Sequence, residues 1–251
     1  MDLTKVFYIN LDVDSLKREF QETQLSKSGL PYERWKATLG SDLDLKKVHR
    51  RLGISNGNEY QDHNLVGTVG CFTSHTRLLD HISQLPDGKY LVLEDDAIAI
   101  PGAWDKIKNL PDVDVDVLFL FVLGEPIHKE GAPPGWDGKP TTTLRIGEVV
   151  DKNYFCPRKR PRDKFANIGW SAFVVTPQGA ANILKLVPKM VAFTMHVDKA
   201  LAEFHNTEGG VKVLMTNDNL FTARGRAYRG MAKMPNGDVV EFLSSRVRED
   251  K

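Results

Sequence analysis

Cysteine is scarce in this chain. Only Cys71 and Cys156 occur in 251 residues, far apart and in no C-x-x-C pair. That argues against a disulfide framework and against a zinc site built on paired thiolates. An excess of charge of one sign is also lacking. The 34 Lys and Arg balance 33 Asp and Glu, for a formal net charge of +1, so no global field calls for nucleic acid as a partner. Long apolar runs are missing as well. Stretches such as 115–123 fall far short of the roughly 20 residues a membrane-spanning helix needs. The N-terminus enters a strand-like segment at once, with no basic stretch leading into an apolar one, so no signal peptide is expected. These absences lead to the expectation of a cytoplasmic protein without a transmembrane segment, with peripheral membrane contact left open. What is present, 41% hydrophobic and 27% charged residues, is the composition of a globular α/β chain with one sizeable core.

No internal repeat is visible. Residues 6–11 (VFYINL) read as a buried first strand and 15–25 as a helix that Asp14 or Ser15 could cap. Residues 32–38 alternate as a second strand, and 42–62 form a polar loop with a short helix. In 68–85, Phe72, His75, Leu79 and Ile82 recur at helical spacing. Residues 89–94 (KYLVLE) then read as a central strand, apolar on both faces as parallel strands tend to be. A short helix over 104–110, strands over 115–123, 148–155 and 171–176, a helix from Pro177 to about Val187, a helix over 197–205 and a strand over 211–215 follow. Residues 124–140 form a long Gly- and Pro-rich loop. Pro235, Asn236 and Gly237 suggest a hairpin turn between Met231 and Phe242. Alternating strands and helices predict an α/β fold with a mostly parallel central sheet, spanning 1–221, and a basic C-terminal segment, 222–251, in the same domain. Ligands of such sheets bind at the carboxyl ends of the strands.

At one such end stand Glu94, Asp95 and Asp96. Three consecutive carboxylates closing an apolar strand repel one another and are poorly solvated; a divalent cation relieves both problems. Strand alternation would point Glu94 and Asp96 one way and Asp95 the other. The competing reading is a solvated acidic turn. Gly70-Cys71-Phe72-Thr73-Ser74-His75 opens the helix before that strand. Its amides suit an anion or polar ligand, whereas His75 alone reads more readily as a hydrogen-bonded core residue.

Ile9-Asn10-Leu11-Asp12, Gly70-Cys71 with Ser74-His75, Leu93-Glu94-Asp95-Asp96 and the 169–180 stretch GWSAFVVTPQGA occur in that order. The set resembles glycosyltransferase family 25, over roughly residues 5–200. The resemblance implies a GT-A-type, Rossmann-like single domain, a UDP-sugar donor, manganese (or magnesium) dependence and inversion at the sugar. It places Asn10, Leu11 and Asp12 in the nucleotide pocket with Arg18 near it, and Gly70, Ser74 and His75 on the donor-sugar side. Asp96 would be the metal ligand, with Asp95 or Glu94 beside it. The chain departs from the family at Ala37-Thr38-Leu39-Gly40, which lacks the acidic residue of the family's Ala-Val-Asp-Gly-like segment.

An inverting transferase needs a base for the acceptor hydroxyl. The family's Val-Asp pair falls on Val197-Asp198, making Asp198 the candidate, against an ordinary helix N-cap. His196 is a candidate metal ligand or base partner, and His205 another possible ligand. The run Arg158, Lys159, Arg160, Arg162 and Lys164 could grip a diphosphate, and Arg224, Arg226 and Arg229 could close over it. Trp136, Trp170 and Trp35 could stack on sugar or base, with core packing the competing role for Trp35. The expected activity is transfer of a hexose, galactose or glucose, from a UDP-sugar to a glycan or glycoconjugate acceptor, with no nucleic acid partner. A metal-dependent nucleotidyl transferase or phosphohydrolase would use the same carboxylates, but INLDVDSLKR lacks a Gly-rich phosphate loop. A non-catalytic nucleotide-sugar-binding module is the third reading.

Overall fold

The computed structural model describes residues 1–51, 66–121, 170–193, 197, 211–216, 220–223, 231–233 and 239–241. Strand β1 (Lys5–Asn10) is buried from Val6 to Asn10. Its side chains alternate between two cores. Phe7 and Ile9 join one with Val69, Phe72, Leu79, Ile82 and Ile183; Val6 and Tyr8 join the other with Leu25, Ala103 and Ile107. Strand β3 (Tyr90–Glu94) divides the same way, Tyr90 and Val92 against Leu91 and Leu93. A strand apolar on both faces is one that helices cover on both sides.

Those helices are α3 (Val66–Ser83) and α5 (Pro177–Phe193) on one face, and α1 (Ser15–Leu25) and α4 (Ala103–Lys108) on the other. Between them lies a six-stranded sheet in the order β2-β1-β3-β6-β5-β7. Here β2 is Tyr32–Lys36, β5 is Val117–Phe119, β6 is Ala172–Val175 and β7 is Val213–Met215. Strand β1 runs parallel to β2 and β3, and β5 parallel to β7, while β6 is antiparallel to both β3 and β5. The sheet is therefore mixed but mostly parallel, with one strand of six reversed. Hydrophobic patterning identifies a buried strand but not its direction.

Two further differences from the sequence reading have physical causes. Helix α5 passes through Pro188, where an end near Val187 was expected. Leu186, Met190 and Val191 continue its buried face, and that burial outweighs the roughly 3 kcal/mol an interior proline costs. Strand β4 (Ala97–Ala99) was not expected and pairs antiparallel with β8 (Phe221–Ala223), which straddles the boundary placed at 221. Strand β9 (Met231–Lys233) pairs antiparallel with β10 (Val239–Glu241), with Lys233 opposite Val239, while the turn expected at 235–237 lies outside the described residues. Remaining described elements are a 3-10 turn, Gly40–Asp42, and α2 (Leu45–Arg51). The strand expected over 148–155, the loop over 124–140 and, apart from Val197, the helix over 197–205 lie outside the described residues. No helix among the described residues is long and apolar enough to cross a membrane.

Candidate active site

A cleft of about 350 Å3 opens at the carboxyl ends of β1, β2 and β3. Its lining comes from Ile9 to Leu11, Asp14, Lys17, residues 37–41, Val66, Gly67, Cys71, Ser74 and His75 on α3, and Glu94 to Asp96. The volume lies in the range of small-ligand sites.

Strand register builds its floor. In the parallel pairing Ile9 stands opposite Glu94, so the next residues, Asn10 and Asp95, leave their strands side by side. Asn10 is buried and its Nδ2 donates to Asp95 Oδ2 at 2.8 Å and to the Asp14 carbonyl at 3.1 Å. Its Oδ1 accepts from Arg34 Nε at 3.1 Å. One amide thereby ties the ends of three strands together.

Asp95 and Asp96 form a two-residue turn between β3 and β4. The expected alternation along the triplet therefore stops at Glu94, because the chain is no longer extended beyond it. Buried glutamines on α1 fix this turn. Gln21 Nε2 donates to the Ala97 carbonyl at 2.7 Å and to the Glu94 carbonyl at 3.2 Å, and Gln24 Nε2 to the Ala97 carbonyl at 2.8 Å.

Lys17 reaches into the acidic end of the cleft. Its Nζ lies 3.1 Å from Asp95 Oδ1 and 3.9 Å from Asp14 Oδ2, with the side chain only 12% exposed. Burial works to lower the lysine's pKa, but the charges of Asp95, Asp96 and Asp14 override it and the ammonium is held above its ordinary range. Asp95 is raised, chiefly by burial, which Lys17 and the Asn10 hydrogen bond only partly offset. Asp14 occupies the N-cap position of α1 but makes no side-chain cap bond; it faces Lys17 instead. Asp14, Asp95 and Asp96 offer the hard oxygen ligands that manganese or magnesium takes, but among the described residues only Cys71, His75 and Glu94 have ligand atoms close enough together to form a ready group.

Glu94 is different. Its Oε2 accepts from Ser171 Oγ at 2.8 Å, and its Oε1 lies 3.0 Å from His75 Nε2 and 3.8 Å from Cys71 Sγ. Burial pushes Glu94 up, but His75, Ser171 and the charge of Lys17 outweigh it and hold the carboxyl below its ordinary range. The Cys71, His75 and Glu94 ligand atoms fall within 4.8 Å of one another. Yet His75 Nδ1 is buried with no hydrogen-bond partner among the described residues. A metal-bound imidazole usually donates its other N–H to an acceptor, and the described residues supply none to His75 Nδ1. His75 Nε2, Cys71 Sγ and Ser171 Oγ thus surround the Glu94 carboxylate.

The Gly70 to His75 segment thus joins two walls of the cleft. Cys71 and His75 hold Glu94, while Gly70 and Ser74 hold the 37–40 loop. Ser74 Oγ accepts from the Thr38 amide at 2.8 Å and donates to the Gly70 carbonyl at 2.7 Å. A Cβ on Gly70 would come within 2.8 Å of both the Gly40 amide nitrogen and the Thr38 carbonyl oxygen. Only glycine allows α3 so close to this loop.

Of the residues singled out from sequence, Asn10, Leu11, Ser74, His75, Glu94, Asp95 and Asp96 line this one cleft. Asp12 does not line it. Its carboxylate is ion-paired with Arg34 and Lys36 at the surface, and the Arg34 and Lys36 hydrogen bonds lower it to about 2. Arg18 is not a lining residue either; its charge acts on the Tyr8 phenol. Gly70 lies behind the wall and serves packing. Trp170 is fully buried, edge-on to His75 at 5.3 Å between ring centroids, and Trp35 stacks on His81 at 5.2 Å. Trp170 therefore packs within the protein, and neither tryptophan lines the cleft. Asp198, His196, His205, Trp136, the 158–164 basic run and Arg224, Arg226 and Arg229 lie outside the described residues.

Sequence reading missed Lys17, Asp14, Gln21, Gln24 and Ser171. Lys17 and Asp14 carried a usable signal, since one helical turn separates them at the end of the first strand. The glutamines carried none, because buried and exposed glutamine look alike in sequence.

Comparison with known proteins bears on this same part of the chain. Residues 3–113 match the family model described as "Glycosyltransferase family 25 (LPS biosynthesis protein)". A protein of Drosophila pseudoobscura pseudoobscura described as "Glycosyltransferase 25 family member" is 33% identical over 101 residues. That alignment covers 38% of this chain, and the chain spans only 16% of the relative's length. Every described cleft residue before β4 falls inside the matched segment. Together the two matches support an assignment to this family.

Proposed function

On the assignment to glycosyltransferase family 25, we propose that this chain transfers a hexose, galactose or glucose, from a UDP-sugar to a glycan acceptor with the help of a divalent cation. The observation that carries this reading is the strand-end cleft, in which Asp14 and Asp95 face one cationic side chain, Lys17, with Asp96 also in the lining, inside the family-matched segment. The mixed α/β sheet and its strand-end site are compatible with a GT-A arrangement.

In this reading Asp96 and Asp95 would hold manganese or magnesium, and the cation would supply neutralisation of the leaving diphosphate. The chain's own residues do the rest. Asn10 keeps the Asp95 carboxylate in one orientation. His75 and Ser171 keep Glu94 ionised, so it is a fixed negative charge and a poor proton acceptor. The 37–41 loop, held by Ser74, walls the nucleoside side. Asp198 is the proposed base for the acceptor hydroxyl, with inversion at the sugar, and His196 a proposed further ligand.

The test is UDP release from UDP-galactose and UDP-glucose, with and without a glycan acceptor, in manganese and in chelator. Release that needs both manganese and the intact acidic turn supports the proposal. Unchanged release after Asp96→Ala contradicts it.

A further inference from the structure

Lys17 sits where a cation is needed. Its ammonium is the cationic partner of Asp95 and stands beside Asp14, and all three side chains are at least 86% withdrawn from solvent, with exposures of 12, 14 and 8%. A divalent ion entering the same carboxylates meets this resident positive charge. Like charges a few ångströms apart in a partly buried site repel strongly, and a lysine that stayed in place would weaken ion binding by tenfold or more, on the order of what Coulomb's law gives at intermediate dielectric. Lysine is suited to leaving. It is a point charge on a flexible four-carbon stem, and it grips phosphate without the fixed geometry that arginine demands.

We propose that Lys17 is an exchangeable internal counter-ion: it neutralises the acidic turn in the free protein, is displaced when the divalent cation enters, and then pairs with the diphosphate of the donor. This rests on the metal-dependent reading above and adds a coupling to it. The metal opposes Lys17 until a diphosphate arrives to receive the ammonium, so metal and nucleotide bind in mutual support. The ligand class the lysine recognises is a nucleoside diphosphate, through its phosphate oxygens.

The unmutated protein provides the first test. Lysine amines are labelled by reductive methylation and quantified by mass spectrometry, with Lys36, whose side chain is 73% exposed, as the internal reference. Manganese alone is expected to raise the rate at Lys17 several-fold, and manganese with UDP to return it to the metal-free level or below. Manganese that binds, as seen by its paramagnetic resonance, without altering Lys17 labelling overturns the exchange and leaves the metal site standing. Absence of any manganese binding overturns both. The second test uses substitution and calorimetry. Lys17→Met is expected to tighten manganese binding without nucleotide by about tenfold and to weaken UDP binding at saturating manganese by about tenfold, whereas Lys17→Arg keeps UDP binding within about threefold. A lysine that merely supports the fold would instead weaken both ligands in Lys17→Met.

Discussion

Asn10 Nδ2 donates to Asp95 Oδ2 at 2.8 Å, across the ends of two parallel strands whose register brings these residues side by side. The bond does two things. It orients a carboxylate in the cleft, and it opposes the burial that raises Asp95. Replacing Asn10 by Ala removes a hydrogen bond to a charged group, a contribution of about 1.5–3 kcal/mol. Manganese affinity is expected to fall about tenfold or more. Because the bond lowers Asp95, its loss raises Asp95 further, so the acidic limb of the manganese-binding profile moves to higher pH. Calorimetric titration at several pH values checks both.

Ser171→Ala tests the cage around Glu94. Glu94 is depressed in the folded protein despite its burial, so it contributes stability that is present above the unfolded glutamate value of about 4.3 and is lost as pH falls through the folded value. Removing the Ser171 hydroxyl takes away one of the groups that hold it down. The variant is expected to be less stable by about 1.5–3 kcal/mol near neutral pH. Its deficit should shrink as pH falls below the unfolded value. Denaturant melts at pH 7 and in acid measure this directly; a deficit that grows in acid contradicts it.

Gly70→Ala separates intrinsic propensity from packing. In an exposed helix the change stabilises by about 0.5–1 kcal/mol. At this position the added methyl meets the Gly40 and Thr38 backbone at 2.8 Å. The close approach should win, with a net loss of about 1–3 kcal/mol and a displaced cleft wall. Thermal denaturation reports the first effect and weakened UDP binding the second.

Much of the site was readable in the sequence, for physical reasons that can be named. KYLVLE is apolar at every interior position, which only a central strand tolerates, and the acidic triplet after it had to lie at a strand end. In the Gly70 to His75 segment, Cys71, Ser74 and His75 line the cleft, and the segment also fastens the 37–40 loop and Glu94, which the sequence did not signal. Strand alternation could not be carried past Glu94, because the turn at Asp95 and Asp96 is set by β4 and by Gln21 and Gln24, partners more than 70 residues away in sequence. The sequence offers Asp14 or Ser15 as the cap of α1; Asp14 holds that N-cap position, but its side chain makes no cap bond and faces Lys17. Ser171 carries no local signal of burial, and Pro188 marks a helix end only where no apolar face continues beyond it.

In the proposed function the acidic turn binds a divalent cation and, through it, a nucleotide sugar. Calorimetric titration of UDP-galactose and UDP-glucose into the protein, with manganese and with chelator, tests it most directly, alongside Asp96→Ala. One of these donors is expected to bind only when manganese is present, and binding is expected to be lost in a folded Asp96→Ala protein whose melting is close to wild type. Equal binding in chelator, or undiminished binding by Asp96→Ala, would contradict it.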